Sequence, residues 1–135
     1  MKNITKEEIR SKLISLIGKV VEGVIDRPLG SRHPNFPSMI YRVNYGYIMS
    51  IKALDNEYQD AYYLGSDVPL KEFKGVVIAV IARANDNEDK IVVAPPGINY
   101  TNEEIEELIN FQEQYFVHKI IRWGIIKWMR KAITK

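Results

Sequence analysis

The sequence predicts a small, mostly β member of the α+β class, a barrel or sandwich of short strands with a helix at each end. Three observations carry this. Runs rich in β-branched and aromatic residues recur at roughly ten-residue spacing between residues 19 and 94, the pattern of an all-β core. Two capping boxes, Thr5 with Glu8 and Thr101 with Glu104, mark helix starts on either side of that region. The 135-residue length suits one domain of ordinary globular composition, with 46% hydrophobic and 27% charged residues.

The organisation is one domain over residues 1–135: a helix in 1–17, a barrel over 19–100 and a helical segment over 101–135. Ile9, Leu13, Leu16 and Ile17 fall on one helical face, and Gly18 closes that helix. Lys19 to Asp26 reads as a strand. Residues 27–38, RPLGSRHPNFPS, hold three prolines and a glycine and read as a loop long enough to be functional. Met39 to Ile51 is the next strand, where Gly46 signals a bulge or a close backbone approach. Tyr58 to Leu64 follows a polar turn, and Val76 to Ala82 is an apolar run suited to a buried strand. Ile91 to Ala94 returns from the charged turn at 85–90 and stops at Pro95, Pro96 and Gly97. From Thr101 the spacing is helical, through Ile105, Leu108, Ile109, Gln112, Tyr115, Phe116 and Lys119. The same apolar face continues through Ile120, Trp123, Ile126 and Ile133, with Gly124 a kink.

Composition excludes much chemistry. With no cysteine there is no disulfide, thiol nucleophile, zinc–thiolate site or iron–sulfur cluster. His33 and His118 are the two histidines, so a three-histidine metal site is impossible, and a metal here would be a hard cation on oxygen ligands. A net charge of +2 gives no case for nucleic acid as a partner. The barrel part is net acidic, whereas Lys119, Arg122, Lys127, Arg130, Lys131 and Lys135 crowd the end without an acid. That basic, tryptophan-containing tail suits packing on the barrel or another subunit better than a membrane surface. No segment approaches the roughly 18 apolar residues of a membrane span, and residues 1–18 lack the apolar core of a signal peptide, so a cytoplasmic protein is expected.

The chemistry-bearing residues are acidic. Asp55, Glu57 and Asp60 stand at a turn entering a strand, Asp86, Glu88 and Asp89 at a hairpin, and Asp26 at a strand end. On spacing alone they are either solvated turns or, if the ends meet, a crowded carboxylate cluster that divalent cations would neutralise.

Tyr41-Arg42-Val43-Asn44-Tyr45-Gly46-Tyr47-Ile48 resembles the Y-P-x-N-Y-G-[YF]-I signature of the soluble family I inorganic pyrophosphatases. Asp55, Glu57 and Asp60 stand at the acidic positions of that family's D-G-D-P-x-D motif, with Asn56 and Tyr58 replacing Gly and Pro. Glu88-Asp89-Lys90 leading into Ile91-Val92-Val93-Ala94-Pro95 resembles its acidic hairpin, and Phe111-Gln112-Glu113-Gln114-Tyr115 its F-x-E-x-Y helix. The four motifs occur in the family's order.

The resemblance implies a five-stranded β-barrel of OB type and Mg²⁺-dependent hydrolysis of pyrophosphate by a metal-activated water. It implies metal ligands Asp55, Asp60, Glu88, Asp89 and Asp26, with Glu57 receiving the water's proton and Tyr45 beside it in the catalytic set. Lys90, Tyr41 and Tyr115 correspond to positions contacting substrate. The family lysine after F-x-E-x-Y is Phe116 here, and an upstream lysine and arginine have no clean match. Arg42 and Arg83, with Arg27 and Arg32, are the candidates to supply that positive charge. A homo-oligomer is expected by resemblance. Other functional readings are a non-catalytic or weakly active metal- or phosphate-binding module, a hydrolase of another phosphoanhydride, and single-strand nucleic-acid binding on an OB-type barrel, which the acidic barrel disfavours.

Overall fold

A computed structural model describes residues 4–53 and 55–123. The elements in chain order are α1 (Lys6–Ser15), β1 (Val20–Arg27), β2 (Asn44–Lys52), β3 (Tyr58–Tyr63), β4 (Glu72–Arg83), β5 (Lys90–Ala94), α2 (Asn102–Glu113) and β6 (His118–Ile121). The sheet closes through β1–β2–β3–β5–β4 and back to β1, and β6 adds to β4 outside the barrel. The β3–β5 pair is parallel and the others are antiparallel. This is the expected five-strand barrel with one strand more.

Strand alternation divides the core into two layers. In β5 every residue is buried. Ile91 and Val93 point into the barrel with Val21, Ile25, Ile48, Ala61 and Val77, and Ile9 and Leu13 of α1 pack on that cluster. Val92 and Ala94 point outward beneath Ile105, Ile109 and Phe111 of α2, with Tyr45 and Tyr62 beside them. A strand covered on both faces reads as a continuous apolar run, which is why IVVA shows no alternation. Along β4 the register shifts between Val77 and Ala79, so Val77 and Val80 share the interior whereas Ala79 and Ile81 face α2.

Both helices start at the expected caps. The Thr5 side chain accepts from Glu8 N, and Thr101 with Glu104 forms a full capping box. Beyond Glu113 the expected helix is corrected: the chain turns at Gln114–Phe116, and residues 118–121 form β6, not a further helical turn. The first half of β4 pairs with β1, which leaves the backbone of Val80–Arg83 to be paired, and β6 pairs with it. Val117, Ile120 and Ile121 are β-branched and suit a strand. The continuation through Ile126 and Ile133, the kink at Gly124 and the packing of the tail lie outside the described residues. The second strand also begins later than expected, at Asn44, because Met39–Val43 return along the 28–41 loop through a single bridge between Arg32 and Ile40.

Gly46 is a close approach, as its place in the strand suggested. A Cβ there would stand 1.8 Å from the Val24 carbonyl oxygen, a backbone atom that cannot swing aside. Gly46→Ala is therefore expected to destabilise the fold by the upper part of the about 1–3 kcal/mol typical of overpacking, or more. Urea unfolding measures this, and a midpoint matching the parent would contradict the packing described.

Candidate functional site

The site begins at an irregularity in β1. Ile25 stands opposite Gly46 and Arg27 opposite Tyr45, so Asp26 is an extra residue and β1 bulges there. A bulge re-aims side chains, and here Asp26 and Arg27 both reach one cleft of about 630 Å³. Its other walls are Asp60 of β3, Lys90 of β5, the 28–41 loop and the residues following α2. The Asp26 carboxyl is open to water, yet desolvation by the cleft walls raises its pKa; Arg27 opposes this and the Asp60 charge reinforces it.

Lys90 is the cation around which the acids gather. Its buried ammonium donates to Asp60 at 2.6 Å and to Glu88 at 3.3 Å. Glu88 in turn shares a hydrogen bond with Asp55. Desolvation and the Asp55 carboxyl push the Glu88 pKa up to about 7, whereas the same hydrogen bond holds Asp55 below its ordinary value. This pair therefore retains one proton into the neutral range. Tyr45 lies at the cleft, and burial together with the Asp60 carboxylate pushes its hydroxyl pKa well up, so it stays a donor.

Beneath the cleft runs a buried relay. Arg27 donates to the Tyr41 hydroxyl, which donates to Gln112; Gln112 donates to the Tyr62 hydroxyl, which donates to Glu113. Arg83 clamps Glu113 with two hydrogen bonds, gives a third at 2.8 Å to Asp86, and stacks 3.6 Å from the Phe116 ring centre. The guanidinium borders the cleft but is fully engaged in structure.

The structure brings the expected residues together unequally. Asp26, Asp60, Lys90, Tyr41, Tyr45 and Tyr115 line the cleft, and Glu88 and Asp55 connect to it through Lys90. Asp89 turns the other way: it accepts a two-pronged pair from Arg10 of α1 and the backbone N–H of Arg83, so it fixes the hairpin to α1. Lys6 supports the same hairpin through the carbonyls of Arg83 and Asp86. Arg42 and Glu57 are exposed and are not among the cleft residues. The sequence reading missed the cleft roles of His33, Phe36, Met39 and Gln112. The length and proline content of their loop was the available signal for the first three.

Among the described residues, no three acidic or histidine side chains stand arranged as a metal site. The donor chemistry of Asp60, Glu88 and Asp55 nonetheless suits a hard cation: all are oxygen ligands, and one ammonium with the raised Glu88 carboxyl offsets only part of their charge. The Lys90 ammonium occupies the space between Asp60 and Glu88.

Two outcomes follow from these contacts. Glu113→Gln should cost about 3 kcal/mol, the low end for breaking a buried pair, because it leaves the buried Arg83 with only the partly exposed Asp86 as counter-charge; chemical denaturation reads the loss, and an unchanged midpoint would contradict it. Glu88, raised, favours the folded state below its ordinary pKa, a contribution lost as pH rises through about 7; Asp55, lowered, acts in the opposite sense at acid pH. A carboxyl-carbon NMR titration should place the Glu88 midpoint near 7, and Asp55→Asn should move it down toward the ordinary glutamate range.

No family model and no curated protein matches the chain. Solved structures do. The inorganic pyrophosphatase from Neisseria gonorrhoeae superposes with a TM-score of 0.57 at 17% identity, covering 83% of this chain and 78% of that one. The one from Coxiella burnetii gives 0.58 at 16%, covering 80% and 87%, and that from Thermus thermophilus 0.54 at 18%, covering 76% and 80%. At such identities the likeness is one of fold: this chain is built on the barrel architecture of inorganic pyrophosphatases.

Proposed function

We propose that the cleft binds a small phosphoanhydride, pyrophosphate in the first instance, and hydrolyses it to two phosphates with Mg²⁺. The observation that carries this is Lys90, a buried cation held between Asp60 and Glu88 at a cleft that also contains Arg27, Asp26 and the Tyr45 hydroxyl. Alternating cations and carboxylates in one concavity suit a polyanion that arrives with a divalent ion. The structural likeness to inorganic pyrophosphatases supports the same reading.

In this reading Arg27 and Lys90 hold phosphate oxygens, and Tyr45, kept protonated, donates a hydrogen bond to them. With Lys90 turned to the substrate, Asp60 and Glu88, with Asp55 behind Glu88, are the carboxylates that would hold Mg²⁺. The metal would supply charge neutralisation on the phosphate and a more acidic bound water. Glu57 is exposed and is not among the lining residues, whereas Asp26 is, and its raised carboxyl is the group that takes a proton from the attacking water. The Tyr41–Gln112 contacts fix Arg27 at the wall. A binding module without turnover is the second reading, favoured by one observation: Arg83 and Asp89 are both spent on structure.

Phosphate release from pyrophosphate should be detectable with Mg²⁺ and absent without it. Asp26→Asn should lower it by about 10²–10⁴-fold, the range for losing a general base. The parent rate should fall as pH drops through a point above the ordinary aspartate range, and the Asn variant should lose that dependence. Binding of pyrophosphate without any release would favour the module.

A further inference from the structure

The cleft has two unlike walls, and only one has a use for an inorganic ion. Asp26, Arg27, Asp60 and Lys90 form the charged wall. Beside them in the lining, the 28–41 loop contributes His33, Phe36 and Met39, and the chain after α2 contributes Tyr115. Phe36 is 64% exposed and Tyr115 67% exposed, although both border the same concavity.

The loop is built to hold this surface. Backbone bonds from Gly30 to Tyr41, from Tyr41 to Ser31, from His33 to Met39 and from Met39 to Phe36 tie its two arms together. Arg32 adds a bond to the Pro37 carbonyl. His33 lies between two rings, 5.1 Å from Phe36 and stacked at 8° on Tyr41. Its Nδ1 accepts from the Asn35 N–H, so a neutral ring carries its proton on Nε2. Desolvation and Arg27 both lower the His33 pKa, which favours that neutral, flat form. A volume of about 630 Å³ is that of a site for an organic ligand, in the usual range of about 300–1,000 Å³, and exceeds what pyrophosphate needs.

We propose that, within that phosphoanhydride class, the cleft prefers a substrate esterified to a planar aromatic group, of the nucleoside 5′-diphosphate type. Its anhydride lies on the charged wall and its ring lies against Phe36 and His33. The inference rests on the phosphoanhydride reading above and adds the organic half of the substrate. In the corresponding reaction, water oxygen bonds to the terminal phosphorus and the bond from that phosphorus to the bridging oxygen breaks. The bridging oxygen leaves on the nucleoside monophosphate, orthophosphate forms, and one proton is released.

Calorimetric titration of the full chain with Mg²⁺ present tests this with three probes: adenosine 5′-diphosphate, methyl diphosphate and pyrophosphate. Adenosine diphosphate should bind at least about fivefold more tightly than methyl diphosphate, the low end of base–aromatic stacking. Phe36→Ala, a change at an exposed position, should remove that advantage and leave methyl diphosphate affinity unchanged. Equal affinity for both esters, or an advantage that Phe36→Ala does not alter, would overturn the inference while the phosphoanhydride reading stands. Failure of all three probes to bind would overturn both.

Discussion

Glu113 is fully buried, and its carboxylate is clamped by Arg83 and accepts a hydrogen bond from the Tyr62 hydroxyl. Nearly everything around the cleft depends on that pair. Arg83 ends β4 and Glu113 ends α2, so their bond fixes the helix to the barrel wall. Through Tyr62, Gln112 and Tyr41 the same network reaches Arg27 on the bulge of β1. Through Asp86 it reaches the hairpin that carries Glu88 and Lys90. A buried pair of this kind adds little net stability over an apolar substitute, but losing one partner is costly, so it acts chiefly to specify geometry.

The cleft's electrostatics follow from which charges that framework consumes. Arg83 and Asp89 are held within it, and Lys90 is left between two acids. The result is a nearly self-neutral site in its resting form, with one proton stored on Asp55 and Glu88. The barrel architecture is shared with inorganic pyrophosphatases; the chemistry of this cleft comes from these particular pairings.

Much of the barrel was legible because strand alternation and capping boxes are local signals. The extent of α2 was not: helical spacing ran on through Phe116 and Lys119, and what ended the helix was an unpaired stretch of β4 far away in sequence. The site shows the same division. Motif spacing singled out Asp60, Glu88 and Lys90, which meet at the Lys90 ammonium. It could not show that Asp89 belongs to Arg10, because that contact joins residues 79 apart in the chain. Nor could it show that the bulge at Asp26 turns two charges into the cleft, since the bulge is defined by pairing with another strand, where Gly46 lies against Val24 and Ile25. The aromatic loop wall was legible only as a long, proline-rich segment; which of its side chains face the cleft is set by the tertiary fold.

The central claim is that Lys90, Arg27 and the acids around them form a site for a phosphoanhydride with its cation. Calorimetric titration with methylenebisphosphonate, which keeps the two phosphoryl groups but has no anhydride oxygen to cleave, measures this without turnover. The account predicts saturable binding to one site in the presence of Mg²⁺, weaker binding without it, and weaker binding still in Lys90→Met. Absence of binding with Mg²⁺, or equal binding by the parent and Lys90→Met, would contradict it.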